Sequence, residues 1–354
     1  MITSTTTLRM SRAKIAVRER LTARRLAVML AVLSLVVIAL LIVAVAIGSE
    51  SVRFITILKI VLAELTGRAA TDVTPEQRII IAEIRLPRAL MATVVGAALA
   101  VAGAAFQALL KNPLAEPAIL GVSSGAAIGA IAATIFAESL PLSRPLAAFI
   151  GAVVTIAFVY VMGQSRQGGS AERLVLAGVI TNALLSSIVI FLVTTAAGTR
   201  QRSVMSWLIG DLSGETSLLP LIAVLVLAGS AVIYLNARSL NLLMVGEADA
   251  LALGVEVKRV KLMVYIAASL ITGAAVAVSG AIGFVGLIIP HAVRLVGGSD
   301  NRLVIPAAAL TGSAFLLLAD TVARTVIAPR ELHIGVITAL VGAPVFIYLL
   351  RRTS

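Results

Sequence analysis

The feature that most constrains this chain is a series of apolar stretches, each about as long as a bilayer's hydrocarbon core is thick. The first, residues 27–48, contains no charged residue. A helix needs about 20 apolar residues to cross a core of about 30 Å. Ten stretches of this kind are predicted: 27–48, 89–110, 118–137, 145–163, 174–198, 218–237, 262–281, 282–298, 303–323 and 333–350. We therefore predict an all-α polytopic membrane protein with about ten transmembrane helices.

Composition supports a membrane protein and removes several kinds of site. The chain is 60% hydrophobic and 13% charged, whereas soluble domains average about 45–50% apolar and about 25% charged residues. It has no cysteine, which excludes disulfides and cysteine-based metal sites or nucleophiles. Two histidines, His291 and His333, are too few for a histidine-rich metal site.

The basic charge is explained by membrane orientation. With both termini in the cytoplasm, 18 of the 29 Lys and Arg residues fall on the cytoplasmic side and 11 on the outer side. Cytoplasmic segments of membrane proteins carry this excess, so the net charge of +12 does not require nucleic acid. We expect a basic cytoplasmic segment at residues 1–25 and a single transmembrane domain at 26–354.

Two predicted outer segments are longer than simple connections need to be. Residues 49–87 have the composition of a segment with a short amphipathic helix, at Val52 to Leu65. Residues 199–217 contain Trp207, the only tryptophan. A lone Trp near a span end is typical of an interfacial anchor, and a re-entrant turn is the equal alternative.

The last third of the chain carries glycines and prolines inside apolar sequence. Residues 280–294 read G-A-I-G-F-V-G-L-I-I-P-H-A-V-R, and Gly342-Ala343-Pro344 interrupts the final span. Non-helical backbone survives at membrane depth only where protein or an aqueous cavity surrounds it. This pattern indicates a transport-type bundle rather than an anchor.

The energy source has to lie outside the chain if ATP drives transport. A Walker A loop requires Gly-Lys followed by Ser or Thr, and none of the five lysines is followed by either residue. Proton-coupled carriers usually keep a carboxylate or histidine within the bilayer, and here Glu172 and Asp320 lie near predicted span ends. An ion-gradient carrier and a non-transporting scaffold or receptor remain alternatives.

Two polar segments are candidates for contact with partners. Residues 240–258, predicted to be cytoplasmic, contain a short helix-forming stretch between Gly246 and Gly254; it is either a docking element or a solvated connector. Arg85-Leu86-Pro87-Arg88 opens the second span on the outer face. These arginines either snorkel to the interface or pair with carboxylates of a soluble partner.

A series of short motifs runs in order from Arg85 to the C-terminus. They are Arg85-Leu86-Pro87-Arg88; Gly96, Gly103 and Gln107; Asn112-Pro113-Leu114-Ala115, Pro117, Leu120-Gly121 and Ser124-Gly125-Ala126; Leu176-Ala177-Gly178; Trp207 with Gly210; Gly246-Glu247 with Leu253-Gly254; Gly283-Phe284-Val285-Gly286-Leu287, Pro290-His291, Arg294, Gly298-Ser299-Asp300, Ala319-Asp320, Arg324 and Gly342-Ala343-Pro344. Together they closely resemble the FecCD-type permease subunits of ABC importers for ferric siderophores, haem and cobalamin.

The resemblance implies a type II importer permease in the inner membrane that is not itself an enzyme. It would pair with a second permease subunit, two ATPase subunits that bind ATP and magnesium, and an extracytoplasmic substrate-binding protein. By position, Arg85, Arg88 and Arg324 would dock glutamates of that protein. The residues that would seat on the ATPase are Gly246, Glu247, Ala248, Leu253 and Gly254. A ferric siderophore is the expected cargo, with haem or cobalamin as alternatives.

Two residues depart from the family pattern. Asn301 stands where the family commonly has a histidine after Gly-Ser-Asp, and His333 replaces the proline of a usual Glu-Leu-Pro motif after Glu331-Leu332. A solitary histidine on the outer face is more often incidental than a ligand, so we do not expect His333 to bind metal. No metal ligand, cofactor or catalytic residue is predicted in this chain.

Overall fold

A computed structural model describes residues 23–48, 52–66, 73–136, 143–163, 171–195, 199–214 and 216–353. These residues form helices joined by turns. The α-helices are α1 Ala23–Ala46, α2 Phe54–Thr66, α3 Pro75–Arg78, α4 Leu86–Leu110, α5 Val122–Phe136, α6 Ser143–Gly163, α7 Ala171–Thr195, α8 Thr199–Ile209, α9 Leu219–Leu235, α10 Ala237–Val245, α11 Glu247–Ala252, α12 Val257–Ser279, α13 Val285–Gly297, α14 Asn301–Thr325 and α15 Ile334–Thr353. A π-helical segment, Ile79–Arg85, joins α3 to α4.

The helices confirm the all-α membrane fold. Seven helices within the described ranges are long and apolar enough to cross a membrane. Three shorter apolar helices, α5, α13 and α15, fall on the remaining predicted spans. The division at residues 25 and 26 stays a prediction, because residues 1–22 lie outside the described part of the chain.

Helix α4 forms the centre of the bundle. It packs against α12, α13 and α14, and 78% of the apolar window of its span is buried, as in α12, whereas the corresponding value for α1, α7 and α9 is 17%. Small side chains make this position possible: from Ala98 to Ala105, six of eight residues are Ala or Gly, so neighbouring backbones can approach closely.

Helix α4 continues an earlier helix rather than starting at the arginine motif. Proline suits the first turn of a helix, yet around Pro87 helical structure runs without a break from Pro75 to Leu110. Proline inside an α-helix clashes with the carbonyl four residues earlier and lacks the N–H that would bond it. The π-helical turn Ile79–Arg85 lies immediately before Pro87. Such turns change the local hydrogen-bonding pattern, which explains how the helix accommodates the proline.

The glycine-rich break predicted in the last third is real and separates α12 from α13. Gly280 and Phe284 have positive φ values of 67° and 71°, so the backbone leaves the helical path between them. Helix α13 has 13 residues, a length of about 20 Å, and begins inside the protein, where Gly286 meets Gly103 of α4. The predicted span 282–298 therefore starts three residues early and is a half-helix.

The two long predicted outer segments both contain helices. The amphipathic helix expected at Val52 to Leu65 is present as α2. Trp207 lies near the end of α8 and is 4% exposed. A Cβ at Gly280 would collide with the Trp207 carbonyl oxygen. Trp207 therefore packs against the α12–α13 break, and this burial does not fit an interfacial anchor.

Candidate docking and coupling sites

Three arginines predicted from the sequence meet at one end of the bundle. Arg85 and Arg88 lie at the start of α4, and Arg324 lies in the last turn of α14. Arg88 and Arg324 bond Asp320, which is 1% exposed, and Arg85 and Arg324 bond the end of α1. We call Arg85, Arg88, Arg324, Asp320 and Glu331 the arginine cluster.

Asp320 joins two of the arginines. Arg88 Nε donates to Asp320 Oδ1 at 3.0 Å, and Arg324 Nε donates to Asp320 Oδ2 at 2.9 Å. A buried charge is tolerated only when it is paired and hydrogen-bonded, and removing one partner of a buried pair typically costs about 3–5 kcal/mol. Asp320 therefore fixes the position of both guanidinium groups.

The arginines also bind the end of α1. Arg324 Nη2 donates to the carbonyl oxygen of Ala44 at 3.0 Å, and Arg85 Nη1 donates to those of Val45 and Ala46 at 3.3 Å each. The last carbonyl groups of a helix have no partner within the helix and favour positive charge. Two arginines thus cap α1, which accounts for part of their burial.

The three arginines are more buried than residues of a free docking surface would be. Arg85, Arg88 and Arg324 are 5%, 8% and 7% exposed. Sequence reasoning brought these three residues together correctly, but it assigned no partner to them within the chain. Their docking role stays a prediction, and any docking has to act on a cluster that already holds two carboxylates.

Glu331 is the second carboxylate and the most accessible member. Its Oε2 accepts a hydrogen bond from Arg88 Nη1 at 2.8 Å, and its side chain is 50% exposed. It lies between α14 and α15, next to Leu332, whose backbone N–H donates to the Ala323 carbonyl at 2.9 Å. The Glu-Leu motif was recognised in the sequence, but its contact with Arg88 spans 243 positions.

The opposite end of α14 carries the second candidate site. Helix α14 has 25 residues, so its two ends are about 37 Å apart. Helix α10 contacts α14 near its first residue. Gly246 follows α10, and α11 then contains the predicted docking residues Glu247 and Ala248. The two predicted sites thus lie towards opposite ends of one helix.

The 246–254 segment forms the short helix between turns that the sequence predicts. Helix α11 begins after Gly246 and ends before Gly254, whose φ of +81° is typical of the glycine that follows a helix. The Val255 N–H donates to the Ala250 carbonyl at 2.9 Å, which closes the helix end in a Schellman arrangement.

The 246–254 segment is fixed by a polar contact, and apolar side chains in and beside it are exposed. Lys261 Nζ donates to Glu247 Oε1 at 2.6 Å, which holds α11 on the start of α12. Val245, Leu251 and Leu253 are 77%, 60% and 67% exposed. The segment is thus held from one side and presents apolar side chains on its surface.

The sequence did not predict a hydrogen-bond network that lies at the start of α14, next to α10. Asn241 of α10 contacts Asp300 and Asn301 at the start of α14. Arg294 of α13 donates to Asn301 Oδ1 at 3.1 Å and to the Ala104 carbonyl of α4 at 3.2 Å. The network therefore connects α10, α13, α14 and α4. Asn301, where the family commonly has histidine, lies at its centre and is 0% exposed.

Asp300 is held as a carboxylate in this network. The pKa of Asp300 is lowered to about 2, first of all by hydrogen bonds from the Arg302 side chain. The Arg302 N–H and the Asn241 side chain also donate to the carboxylate. Asp300 is the N-cap of α14, a position where negative charge is stabilising.

The start of α13 is fixed by Glu116, another residue that the sequence did not single out. Glu116 Oε1 accepts a hydrogen bond from the Phe284 N–H at 2.8 Å, immediately before α13. Gln107 Nε2 donates to the Leu287 carbonyl at 3.0 Å. The half-helix is thus tied at its start to α4 and to the turn that follows α4.

The described residues contain no group of three or more His, Asp or Glu side chains placed to hold a metal ion.

Proteins similar in sequence to this chain are transport proteins. A profile of the FecCD transport family matches residues 35–352, which extends the resemblance N-terminally from Arg85. The cobalamin import system permease protein BtuC of Halobacterium salinarum is 46% identical over 279 residues, 77% of this chain and 74% of the relative. The hemin transport system permease protein HmuU of Yersinia pestis is 42% identical over 276 residues, 76% and 82% of the two chains.

Solved structures give the same fold. A transporter described as metal-chelate type ABC, in an inward-facing conformation, superposes with a TM-score of 0.78 and 30% identity, over 92% of this chain and 99% of that chain. PsaBC from Streptococcus pneumoniae has a TM-score of 0.54 at 18% identity, over 75% and 90%, and shows the fold alone. This protein is a multi-pass permease subunit of the ABC importer type, and the chain belongs to the FecCD transport family.

Proposed function

We propose that this chain forms half of the membrane path of an ATP-driven importer in the cytoplasmic membrane, with a ferric siderophore as cargo. A second permease subunit, identical or paralogous, would supply the other half. Two ATPase subunits would provide ATP hydrolysis with magnesium, and an extracytoplasmic protein would deliver the cargo. Both termini would lie in the cytoplasm.

The observation that carries the proposal is the position of the two candidate partner sites towards opposite ends of α14. The arginine cluster lies at one end and the 246–254 segment near the other. An importer of this type has to receive cargo on one side of the membrane and ATP-driven motion on the other. Helix α14, about 37 Å long, contains Asp320 and Arg324 at one end and contacts α10, the helix that precedes the 246–254 segment, at the other.

The 246–254 segment is the proposed seat of the ATPase. Exposed apolar side chains clustered on a surface mark protein contacts more often than single exposed residues do, and Val245, Leu251 and Leu253 are of this kind. The Lys261–Glu247 pair holds the segment against α12. Motion of a docked ATPase would then pass into the bundle through α10 and α12.

Haem and cobalamin are the alternative cargoes, and the relatives' names favour them. The Halobacterium salinarum relative is named for cobalamin and the Yersinia pestis relative for hemin, while the structural neighbour is described as metal-chelate type. All three cargoes belong to one chemical class, a bulky chelate that encloses a metal ion, and within that class a ferric siderophore is the cargo that we propose.

The test is ATP hydrolysis by the reconstituted complex. The permease would be assembled in nanodiscs with the ATPase and binding protein encoded beside it, and the binding protein loaded with a ferric siderophore, haem or cobalamin. We expect one loaded form to stimulate hydrolysis more than the empty form does. Stimulation by haem or cobalamin alone would replace the siderophore as cargo, and transport with no ATPase present would favour an ion-gradient carrier.

A further inference from the structure

We infer that Glu331 occupies the place on Arg88 that an acidic side chain of a docking protein would take, so that docking exchanges one carboxylate for another. This inference rests on the proposed function, in which the arginine cluster receives an extracytoplasmic binding protein. It adds a residue of this chain that competes with that protein for the same guanidinium group.

Arg88 is held by two carboxylates of very different accessibility. Its Nε bonds Asp320, which is 1% exposed, and its Nη1 bonds Glu331, whose side chain is 50% exposed. Asp320 is also bonded to Arg324, so its release would leave two buried guanidinium groups without it. Glu331 has no other hydrogen bond within the described residues. Glu331 is therefore the exchangeable partner, and Asp320 is the permanent one.

The backbone around Glu331 allows the exchange without helix movement. Residues 326–330, which precede it, are exposed. Leu332, which follows it, is tied to the Ala323 carbonyl of α14. Rotation of the Glu331 side chain alone would therefore withdraw its carboxylate from Arg88. The Glu331 side chain is half-exposed, so water can solvate its carboxylate once it leaves Arg88.

The charge balance identifies the incoming group. Within the described residues, Arg88 and Arg324 contact two carboxylates, those of Asp320 and Glu331, and Arg330 adds an exposed positive charge beside Glu331. Among the described residues, withdrawal of Glu331 leaves Asp320 as the carboxylate in contact with Arg88 and Arg324. Arginine binds carboxylates with charge-assisted hydrogen bonds of defined geometry. A Glu or Asp side chain on a protein surface thus fits the position that Glu331 leaves.

The test compares docking affinities of charge-matched variants. The permease complex in nanodiscs would be titrated with the labelled binding protein encoded beside it, and Kd measured for wild type, Glu331→Gln and Glu83→Gln. Glu83 is an exposed acid of the π-helical segment at the same end, so it controls for the loss of one negative charge. We expect Glu331→Gln to lower Kd on the order of two- to fivefold and Glu83→Gln to change it less.

A double-mutant cycle locates the effect on Arg88. If Glu331 competes for that guanidinium group, Glu331→Gln should lower Kd in wild type but not in an Arg88→Ala background. Equal tightening by Glu331→Gln and Glu83→Gln, or tightening that survives Arg88→Ala, would overturn the inference. Tighter binding of Glu331→Gln to phosphatidylglycerol vesicles, without tighter protein docking, would do the same and name lipid phosphate as the ligand.

The same variants separate this inference from the proposed function. If Arg88→Ala and Arg324→Ala both leave docking unchanged, the assignment of the arginine cluster as docking site fails, and the exchange fails with it. If both weaken docking while Glu331→Gln behaves like Glu83→Gln, the docking site stands and the exchange alone is wrong. Because Glu331 is half-exposed, its variant is expected to fold as wild type does.

Discussion

The side chain of Asn241 acts as part of the N-terminal cap of α14 through its contact with Asn301. Asn241 Oδ1 accepts hydrogen bonds from the backbone N–H and the side-chain Nδ2 of Asn301 at 2.8 and 2.9 Å. The first N–H groups of a helix lack partners within it, so a residue of α10 satisfies a group that α14 leaves open. Movement of α10 and the start of α14 is thereby linked.

We expect Asn241→Ala to weaken transport more than ATP hydrolysis. The change leaves the N–H of Asn301, which is 0% exposed, without its partner, and an unsatisfied buried group typically costs about 1–3 kcal/mol. The 246–254 segment would then move without carrying α14 with it. The measurement is the amount of cargo taken up per ATP hydrolysed in proteoliposomes, with thermal unfolding recorded in parallel.

Arg238→Ala is the matched control, because Arg238 lies in the same helix and is exposed. Its ratio of uptake to hydrolysis should equal that of wild type. If Asn241→Ala lowers uptake and hydrolysis by the same factor, the contact is structural only, and α10 does not transmit motion through it.

The pH dependence of stability should include a contribution from Asp300. Its folded-state pKa is lowered from 3.8 to about 2, first by the side-chain hydrogen bonds from Arg302. A lowered pKa stabilises the fold above about pH 4, and the effect is lost as the pH falls towards 2. Because the Asp300–Arg302 pair is partly exposed, we expect about 1–2 kcal/mol at most.

Asp300→Asn tests this, because asparagine still caps a helix but carries no charge. Unfolding in detergent would be followed at pH 5 and at pH 3. The stability difference between wild type and variant should shrink at the lower pH. A difference that stays constant would show that the charge of Asp300 does not stabilise the fold.

The approach of α4 to α13 should not tolerate an added methyl group. A Cβ at Gly103 would collide with the carbonyl oxygen of Gly286, whereas a Cβ at Gly283 has no atom within 4 Å. We expect Gly103→Ala to destabilise the protein by about 1–3 kcal/mol and Gly283→Ala to be close to neutral. Thermal unfolding of the two variants compares them directly, and equal midpoints would contradict the packing of α13 on α4.

Much of the fold follows from the sequence, because a continuous apolar stretch of sufficient length predicts a transmembrane helix. The spans were predicted on that basis, α2 was predicted from its amphipathic composition, and the short helix at 246–254 was predicted from helix-forming residues between two glycines. The boundary of α13 was misplaced, since Ala281 to Phe284 are as apolar as the helix they precede and only the positive φ values at Gly280 and Phe284 interrupt it.

The candidate sites were less predictable, because their contacts join residues far apart in the chain. Arg88 and Asp320 are separated by 232 positions, and Asn241 and Asn301 by 60. Spacing along one sequence shows neither pair. The resemblance named Arg85, Arg88 and Arg324 by position, but part of the burial of Arg85 and Arg324 results from α1, whose carbonyl groups no pattern assigns to an arginine.

The 246–254 segment can be tested for ATPase contact because the chain has no cysteine. Ala248→Cys would place a single thiol at an exposed position of α11. We expect maleimide to label it rapidly in the permease alone and at least tenfold more slowly once the ATPase is bound. Arg330→Cys, exposed near the arginine cluster, should be protected by the binding protein but not by the ATPase, and the reverse pattern would contradict the assignment of the two ends.

The most direct test of the central claim is the energy source for uptake. Proteoliposomes would contain the permease with its ATPase, and cargo-loaded binding protein would be supplied outside. Cargo accumulation would be measured with ATP inside, with a non-hydrolysable ATP analogue inside, and with a proton or sodium gradient but no ATP. We predict accumulation only with hydrolysable ATP. Accumulation driven by an ion gradient, in vesicles that hold the permease alone, would contradict the account.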